Sequence, residues 1–250
     1  MKNSILVGLM LLAAVRAWAA NPAFIQSRSA QSLGTNTVSA TFGSNNDPSS
    51  DGDHAIVVLA RWGNDSGTIA VTDTAGNTYH QVVPAVWDSV RGGQTLFAWL
   101  ALGIVKNAAS NHVTVTITGA GNHLLTIAML EYSHIATSNA MDVSSISYGG
   151  QSLVSPITCP AVTTTTAGDV VVALIQSAPL TAPATSSFGA GFTSRENSGS
   201  GDGWVATGRG FVADDVGVPI GTYTPSFSWT GGPARGYGAI TFALRGAGAR

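Results

Sequence analysis

Charge is scarce in this chain. Only 10% of its 250 residues are Asp, Glu, Lys or Arg, against about 25% in an average globular protein. Glutamate occurs only at Glu131 and Glu196, and lysine only at Lys2 and Lys106. No basic block exists, which excludes the clustered cationic surface that nucleic acid or an anionic membrane needs. Cysteine is nearly absent as well. Cys159 stands alone, so no intramolecular disulfide can form and the core must hold the fold. Burial as a small hydrophobe is expected for it, an intermolecular disulfide being the alternative. Beyond the first twenty residues, no apolar run approaches the ~18 residues of a membrane span. No segment there keeps a 3.6-residue apolar period.

The first twenty residues read as a secretory signal peptide. "MKNS" supplies a positive charge, "ILVGLMLLAAV" an apolar stretch and "AWAA" a small-x-small cleavage site, a pattern too short for a spanning helix. Cleavage after Ala19 or Ala20 takes Lys2 and Arg16 away and moves the formal charge from −2 to −4. The expected localisation is secreted or cell-surface, with the periplasm as the other compartment. The remainder, 21–250, is expected to be one domain.

Short runs rich in Val, Ile, Thr and aromatics fill that remainder, set between Gly, Asn, Asp, Ser and Pro clusters. This predicts an all-β fold, a single two-sheet antiparallel β-sandwich of the jelly-roll kind. The clearest predicted strands are 54–62, 67–73, 94–104, 112–118, 124–132, 169–177, 203–213, 224–229 and 237–244. "DTAGNTY" (73–79) predicts a tight turn in which Gly76 and Asn77 adopt positive φ. "SDGDHAIVVLA" is similar to "TTAGDVVVALI", and "VTVTITGAGNHLLTIAMLEY" to "PSFSWTGGPARGYGAITFALR". Two readings stand: pseudo-repeated halves near 24–137 and 138–247, or mere likeness of composition. If the halves are real, packing them face to face closes one core about 10 Å thick.

"VTDTAGNTY", "LEYS", "TTTAGDVVVALI" and "GAGFTSR", in this order, resemble a group of uncharacterised secreted bacterial β-sandwich domain proteins. The resemblance spans nearly the whole mature chain and rests on turn-and-strand motifs. It implies a fold and a compartment, and it carries no reaction.

Catalytic constellations are sparse. Glycan-cleaving sandwiches use two carboxylates some 5–10 Å apart. Here Glu196 falls in an apparent loop, while Asp47, Asp51, Asp53, Asp73, Asp169 and Asp202 sit at turns, where they cap amides. Asp142, Asp214 and Asp215 are further candidate partners for Glu131, and nothing in the sequence brings them together. In "TIAMLEY", Ile127, Met129 and Glu131 share one face and Ala128, Leu130 and Tyr132 the other. A carboxylate ending such a strand needs a partner. The expected structural pair is Glu131–Arg245, Arg61 being the second choice. No G-x-S-x-G elbow surrounds Ser198 or Ser200, and no H-E-x-x-H includes His112, His123 or His134. Nothing resembles a phosphate-binding glycine loop.

Two binding readings survive. "SNNDPSSDGDH" places Asp47, Asp51 and Asp53 within seven positions, oxygen ligands of the type calcium takes, without EF-hand spacing. Otherwise no cofactor is expected. Trp87 and Trp204 lie in polar, glycine-rich stretches and, with Arg195 and Asp202, make a candidate sugar-binding set. The sequence therefore suggests a secreted, non-catalytic β-sandwich that binds a surface glycan or other extracellular polymer. The alternatives are a structural subunit of a fibre or surface layer, self-associating through sheet edges, and a polysaccharide-active hydrolase or lyase.

Overall fold

The strands that read as apolar on both faces decide the architecture. The computed structural model describes residues 20–42, 54–63, 68–88, 94–104, 111–118, 124–149, 155–179, 186–197, 209–230 and 234–248. These residues contain strands and no helix. The first half holds β1 (Ala23–Leu33), β2 (Thr37–Thr41), β3 (His54–Gly63), β4 (Thr68–Asp73), β5 (His80–Asp88), β6 (Gln94–Ile104), β7 (His112–Thr118) and β8 (Leu124–Ser133). The second holds β9 (Met141–Gly149), β10 (Ile157–Thr158), β11 (Val162–Thr163), β12 (Asp169–Pro179), β13 (Ser186–Phe188), β14 (Thr193–Asn197), β15 (Arg209–Val218), β16 (Thr222–Tyr223), β17 (Ser226–Trp229) and β18 (Ala234–Leu244).

These strands form five antiparallel sheets, not the two expected. The physical reason is double-sided apolarity. On β3, Ala55, Val57 and Leu59 enter one cluster while Ile56, Val58 and Ala60 enter another. The order β1-β8-β3-β6-β5 makes one large sheet and β14-β15-β12-β18-β9 the other. They pack against each other through a central core that includes Leu59, Leu130, Val172, Leu174, Val212 and Phe242. The back of the first large sheet is covered by β2-β7-β4, which contributes Val38, Val71, Val113, Val115 and Ile117. The back of the second is covered by β10-β17-β13 and β11-β16, which contribute Ile157, Phe227, Trp229, Val162 and Tyr223. The result is a four-layer stack with three apolar interiors. Cys159 lies in one of them, and burial pushes its thiol up to about 12.

The internal repeat is more than composition. Matching the two large sheets strand by strand sets β1, β8, β3, β6 and β5 against β9, β18, β12, β15 and β14 in the same order. Three register breaks in each match as well, while those at Val83/Val86 and Ser177/Pro179 have no counterpart. One falls at His54/Ala55 and Asp169/Val170, a second at Phe24/Gln26 and Met141/Val143, a third at Gln81/Val83 and Ser194/Glu196. Gly103 and Gly217, at the matched break facing His54 and Asp169, both have positive φ (63° and 72°). Glycine enters that left-handed conformation without the penalty a Cβ would bring.

The seam between the halves is pseudo-symmetric in backbone and asymmetric in chemistry. At one end, Tyr132 donates its hydroxyl hydrogen to Asp214 Oδ2 (2.8 Å). Arg195 Nε donates to both Asp214 oxygens (2.8 and 2.9 Å), with its guanidinium 3.7 Å from the Phe24 ring centroid. Burial raises the Asp214 carboxyl above its ordinary range, against the opposing pull of Arg195 and Tyr132. The register assigns the same four positions at the other end to Leu244, Leu100, Val82 and Met141, all packed in the central core. This polar latch joins both halves through one carboxylate. Breaking it singly should cost far more than replacing it whole. Asp214→Leu alone should destabilise by about 3–5 kcal/mol, because it strands Arg195 and Tyr132. Adding Arg195→Val and Tyr132→Leu should recover most of that loss. Urea denaturation of the single and triple variants checks this, and a triple variant at the single's stability would contradict it.

Candidate functional site

Glu131 does not pair with Arg245. The carboxylate is 2% exposed; Gln26 Nε2 donates to Oε2 (2.7 Å) and His54 Nδ1 lies 2.9 Å from Oε1. The reason follows from the register. Glu131 faces Ile56 on β3, whereas the equivalent of Ile56, Val171, faces Ala243. Arg245 lies beyond that position, past the end of β18, and belongs to another cluster. The Arg61 side chain lies outside the described residues.

The turn motif has a structural use. Asp73 Oδ1 accepts from the Asn77 amide (2.9 Å), and Oδ2 accepts from Asn77 Nδ2 (2.6 Å), Tyr79 Oη (2.9 Å) and Asn111 Nδ2 (2.8 Å). Burial alone would raise this carboxyl, yet the bonds from Asn111, Asn77 and Tyr79 hold it below its ordinary value. Gly76 has φ 76° as expected. Asn77 does not enter the positive region; its side chain and amide serve Asp73 instead.

A third cluster lies where the two halves are joined. The connecting segment 134–140 is bonded to the end of β18 through Ala136 N to Arg245 O (2.9 Å), Arg245 N to Ala140 O (2.7 Å) and Ala247 N to His134 O (2.8 Å). Arg245 Nη1 donates to the Asn139 and Met141 carbonyls (2.7 and 3.1 Å), and Nη2 donates to Asp142 Oδ1 (2.6 Å). Asp142 also accepts from the Thr165 amide (2.6 Å) and the Thr165 hydroxyl. Asp169, wholly buried, accepts from Thr166 Oγ1 (2.6 Å) and lies in hydrogen-bond reach of Asp142. Burial and the neighbouring Asp142 raise Asp169 to about 6, so it keeps its proton in mild acid. Burial also works against Asp142, but the Thr165 bonds, Asp169 and Arg245 hold it below its ordinary value. Below about pH 6 a carboxylic acid thus faces a carboxylate, both side chains buried.

In front of this cluster is a pocket of about 450 Å³ lined by Ile135, Ala136, Thr137, Ser138, Asn139, Thr166, Arg245 and Ala247. His134 (φ 56°) and Asn139 (φ 49°) bracket its loop, the non-glycine residues with positive φ among those described. Such strain gathers at ligand clamps and switch regions. Arg245 presents a side chain that is 28% exposed, whereas that of Asp142 is 0% exposed. The hydroxyl-rich stretch "IATSNAMD" ahead of β9 was the available sequence signal for this pocket.

Asp47, Asp51, Asp53, Asp202 and Trp204 lie outside the described residues, as does the side chain of Trp87. Arg195, expected at a ligand surface, is committed to Asp214 and Phe24, because the buried carboxylate demands a cation. Among the described residues, no group of three His, Cys, Asp or Glu side chains could hold a metal ion. Comparisons with protein-family models, curated proteins and solved structures find no match to this chain.

Two outcomes follow from these clusters. Glu131→Ala leaves the buried Gln26 and His54 without their acceptor, and should destabilise by about 3–5 kcal/mol in urea denaturation. For Asp169 the folded pKa is raised from 3.8 to about 6. Its contribution to stability is therefore complete below the unfolded value and lost as pH rises through the folded one. Asp169→Asn removes this titration while supplying an N–H donor toward Asp142. Between about pH 5 and about pH 8 the variant's melting temperature should fall less than that of the unaltered protein. Parallel melting curves over that range would contradict the assignment.

Proposed function

We propose that this chain is a secreted, non-catalytic β-protein that holds a sugar unit of an extracellular polymer in the pocket that its connecting segment forms against the second half. The observation that carries this reading is the pocket itself, walled by Thr137, Ser138, Asn139, Thr166 and Arg245. Its volume of about 450 Å³ falls in the range of about 300–1,000 Å³ typical of small-ligand sites. Hydroxyls and a guanidinium supply the donors and acceptors a polyol uses. Arg245 is paired with Asp142, so the guanidinium offers no unbalanced positive charge to a ligand. An uncharged, hydroxylated ligand suits such a wall better than an anion. Secretion rests on the signal-like first twenty residues.

The sealing of Asp142 and Asp169 weighs against the enzyme reading. A general acid must come within about 3 Å of the leaving oxygen, and neither carboxyl lines the pocket. Ser138 is exposed at the rim, so Ser138→Trp should fill the pocket and leave melting unchanged. Calorimetric titration with neutral oligosaccharides should detect binding by the unaltered chain, weakened at least tenfold by Ser138→Trp. Binding unaffected by Ser138→Trp would remove the pocket from this role. Release of reducing ends would restore the enzyme reading, and ordered polymers without sugar binding would favour the structural subunit.

A further inference from the structure

The two large sheets have four edge strands, and three of them are protected against pairing with another strand. β1 carries the charged Arg28 near its middle. β5 contains Pro84 and two register breaks. β14 is five residues long, contains Arg195 and Glu196, and is interrupted between Ser194 and Glu196. Charges, proline, bulges and shortness are the devices by which edges avoid pairing.

β9 has none of these from Val143 to Gly149. The segment "VSSISYG" has no charge and no proline, and it runs in unbroken register against β18 from Val143↔Ala243 to Gly149↔Tyr237. Its one acidic residue, Asp142, is turned inward onto Arg245 and Thr165. Among the described residues, no strand pairs with its outer edge. Ile146 and Tyr148, on the same face, are 40% and 65% exposed, and with Ile220 they are the exposed large hydrophobics among the described residues.

We propose that β9 is a homodimer interface, pairing antiparallel with β9 of a second copy about a two-fold axis at Ser147. A second copy is the occupant that this segment fits. In that register Ile146 of each chain lies opposite Tyr148 of the other, giving two reciprocal aromatic–β-branched pairs. Such pairs are the favourable units of cross-strand packing. No like charges meet, because the segment carries none. The ladder of β14-β15-β12-β18-β9 continues into its symmetric copy as one sheet of twice the strands. A two-fold pairing closes on itself, so the product is a dimer and not a filament. The inference is independent of the pocket and of what it binds.

Analytical ultracentrifugation of the full mature chain, from micromolar to millimolar, tests the interface. A concentration-dependent dimer is expected, weakened at least tenfold by Ile146→Lys and by Tyr148→Lys. Both positions are exposed, so melting at concentrations where the chain is monomeric should not change. Opposed Cα atoms in an antiparallel ladder are about 4.5–5.5 Å apart, within disulfide range, and Cys159 is buried and out of the way. Under mild oxidation, Ile146→Cys mixed with Tyr148→Cys should cross-link at least tenfold faster than either variant alone. A chain that stays monomeric at millimolar concentration would overturn the interface. So would a dimer indifferent to both lysines, or self-linking of either cysteine variant faster than the mixed pair.

Discussion

A strand apolar on both faces must be covered on both sides, and this one requirement organises the molecule. β3, β8, β12 and β18 each send alternate side chains into two interiors. Water on either face of such a strand would cost roughly 25 cal/mol for each Å² of apolar surface left exposed. One pair of sheets covers only one face of each. The smaller outer sheets cover the other, which is why the fold is a four-layer stack and not a simple sandwich. The low charge of the chain is the compositional counterpart, since so much of its length is interior.

Duplication explains how a chain without disulfides builds such a stack. Matched strand order, matched register breaks and the paired glycines Gly103 and Gly217 describe one supersecondary unit used twice. Each unit alone would expose the inner face of its large sheet, and each is the other's cover. The side chains then diverged between equivalent positions. Asp214 stands where the first half has Leu100, and Arg195 where it has Val82. The seam therefore has an apolar end, where packing tolerates small adjustments, and a hydrogen-bonded end that admits one geometry. Buried charge of this kind adds less stability than apolar packing would. Its directional bonds constrain how the halves sit.

Among the described residues, four carboxylates are spent on internal bonds. Glu131 holds Gln26 and His54, Asp73 closes a turn, Asp214 latches the seam and Asp142 anchors Arg245. Each carboxylate is satisfied by several donors, as burial demands. This leaves hydroxyls, amides and one guanidinium to make the surface chemistry of the pocket at the connecting segment. Its shape comes from the loop that connects the two units, bent through His134 and Asn139 in left-handed conformation.

The central strands were legible in the sequence because they are continuous apolar runs. 94–104 and 112–118 coincide with β6 and β7, and 54–62, 124–132 and 169–177 fall within one or two residues of β3, β8 and β12. The edge strands β1, β5, β9 and β14 were not, since an edge is half solvated and reads as polar loop; β9 is "MDVSSISYG". Of the run 203–213, residues 209–213 fall in β15 and 203–208 lie outside the described residues; β15 runs on to Val218, an extension hidden in the sequence because Asp214 and Asp215 look like a turn until Arg195 is seen beside one of them. The likeness of the halves was visible, and its geometric meaning was not. Alternation of side chains along a strand is local, so the sequence alone determined the all-β class, the doubly buried strands and the tight turn at Gly76. Partners of buried charges are separated by up to 105 residues, as in Gln26 and Glu131. Which carboxylate meets which donor depends on sheet order and register, and those are decided only when the layers pack.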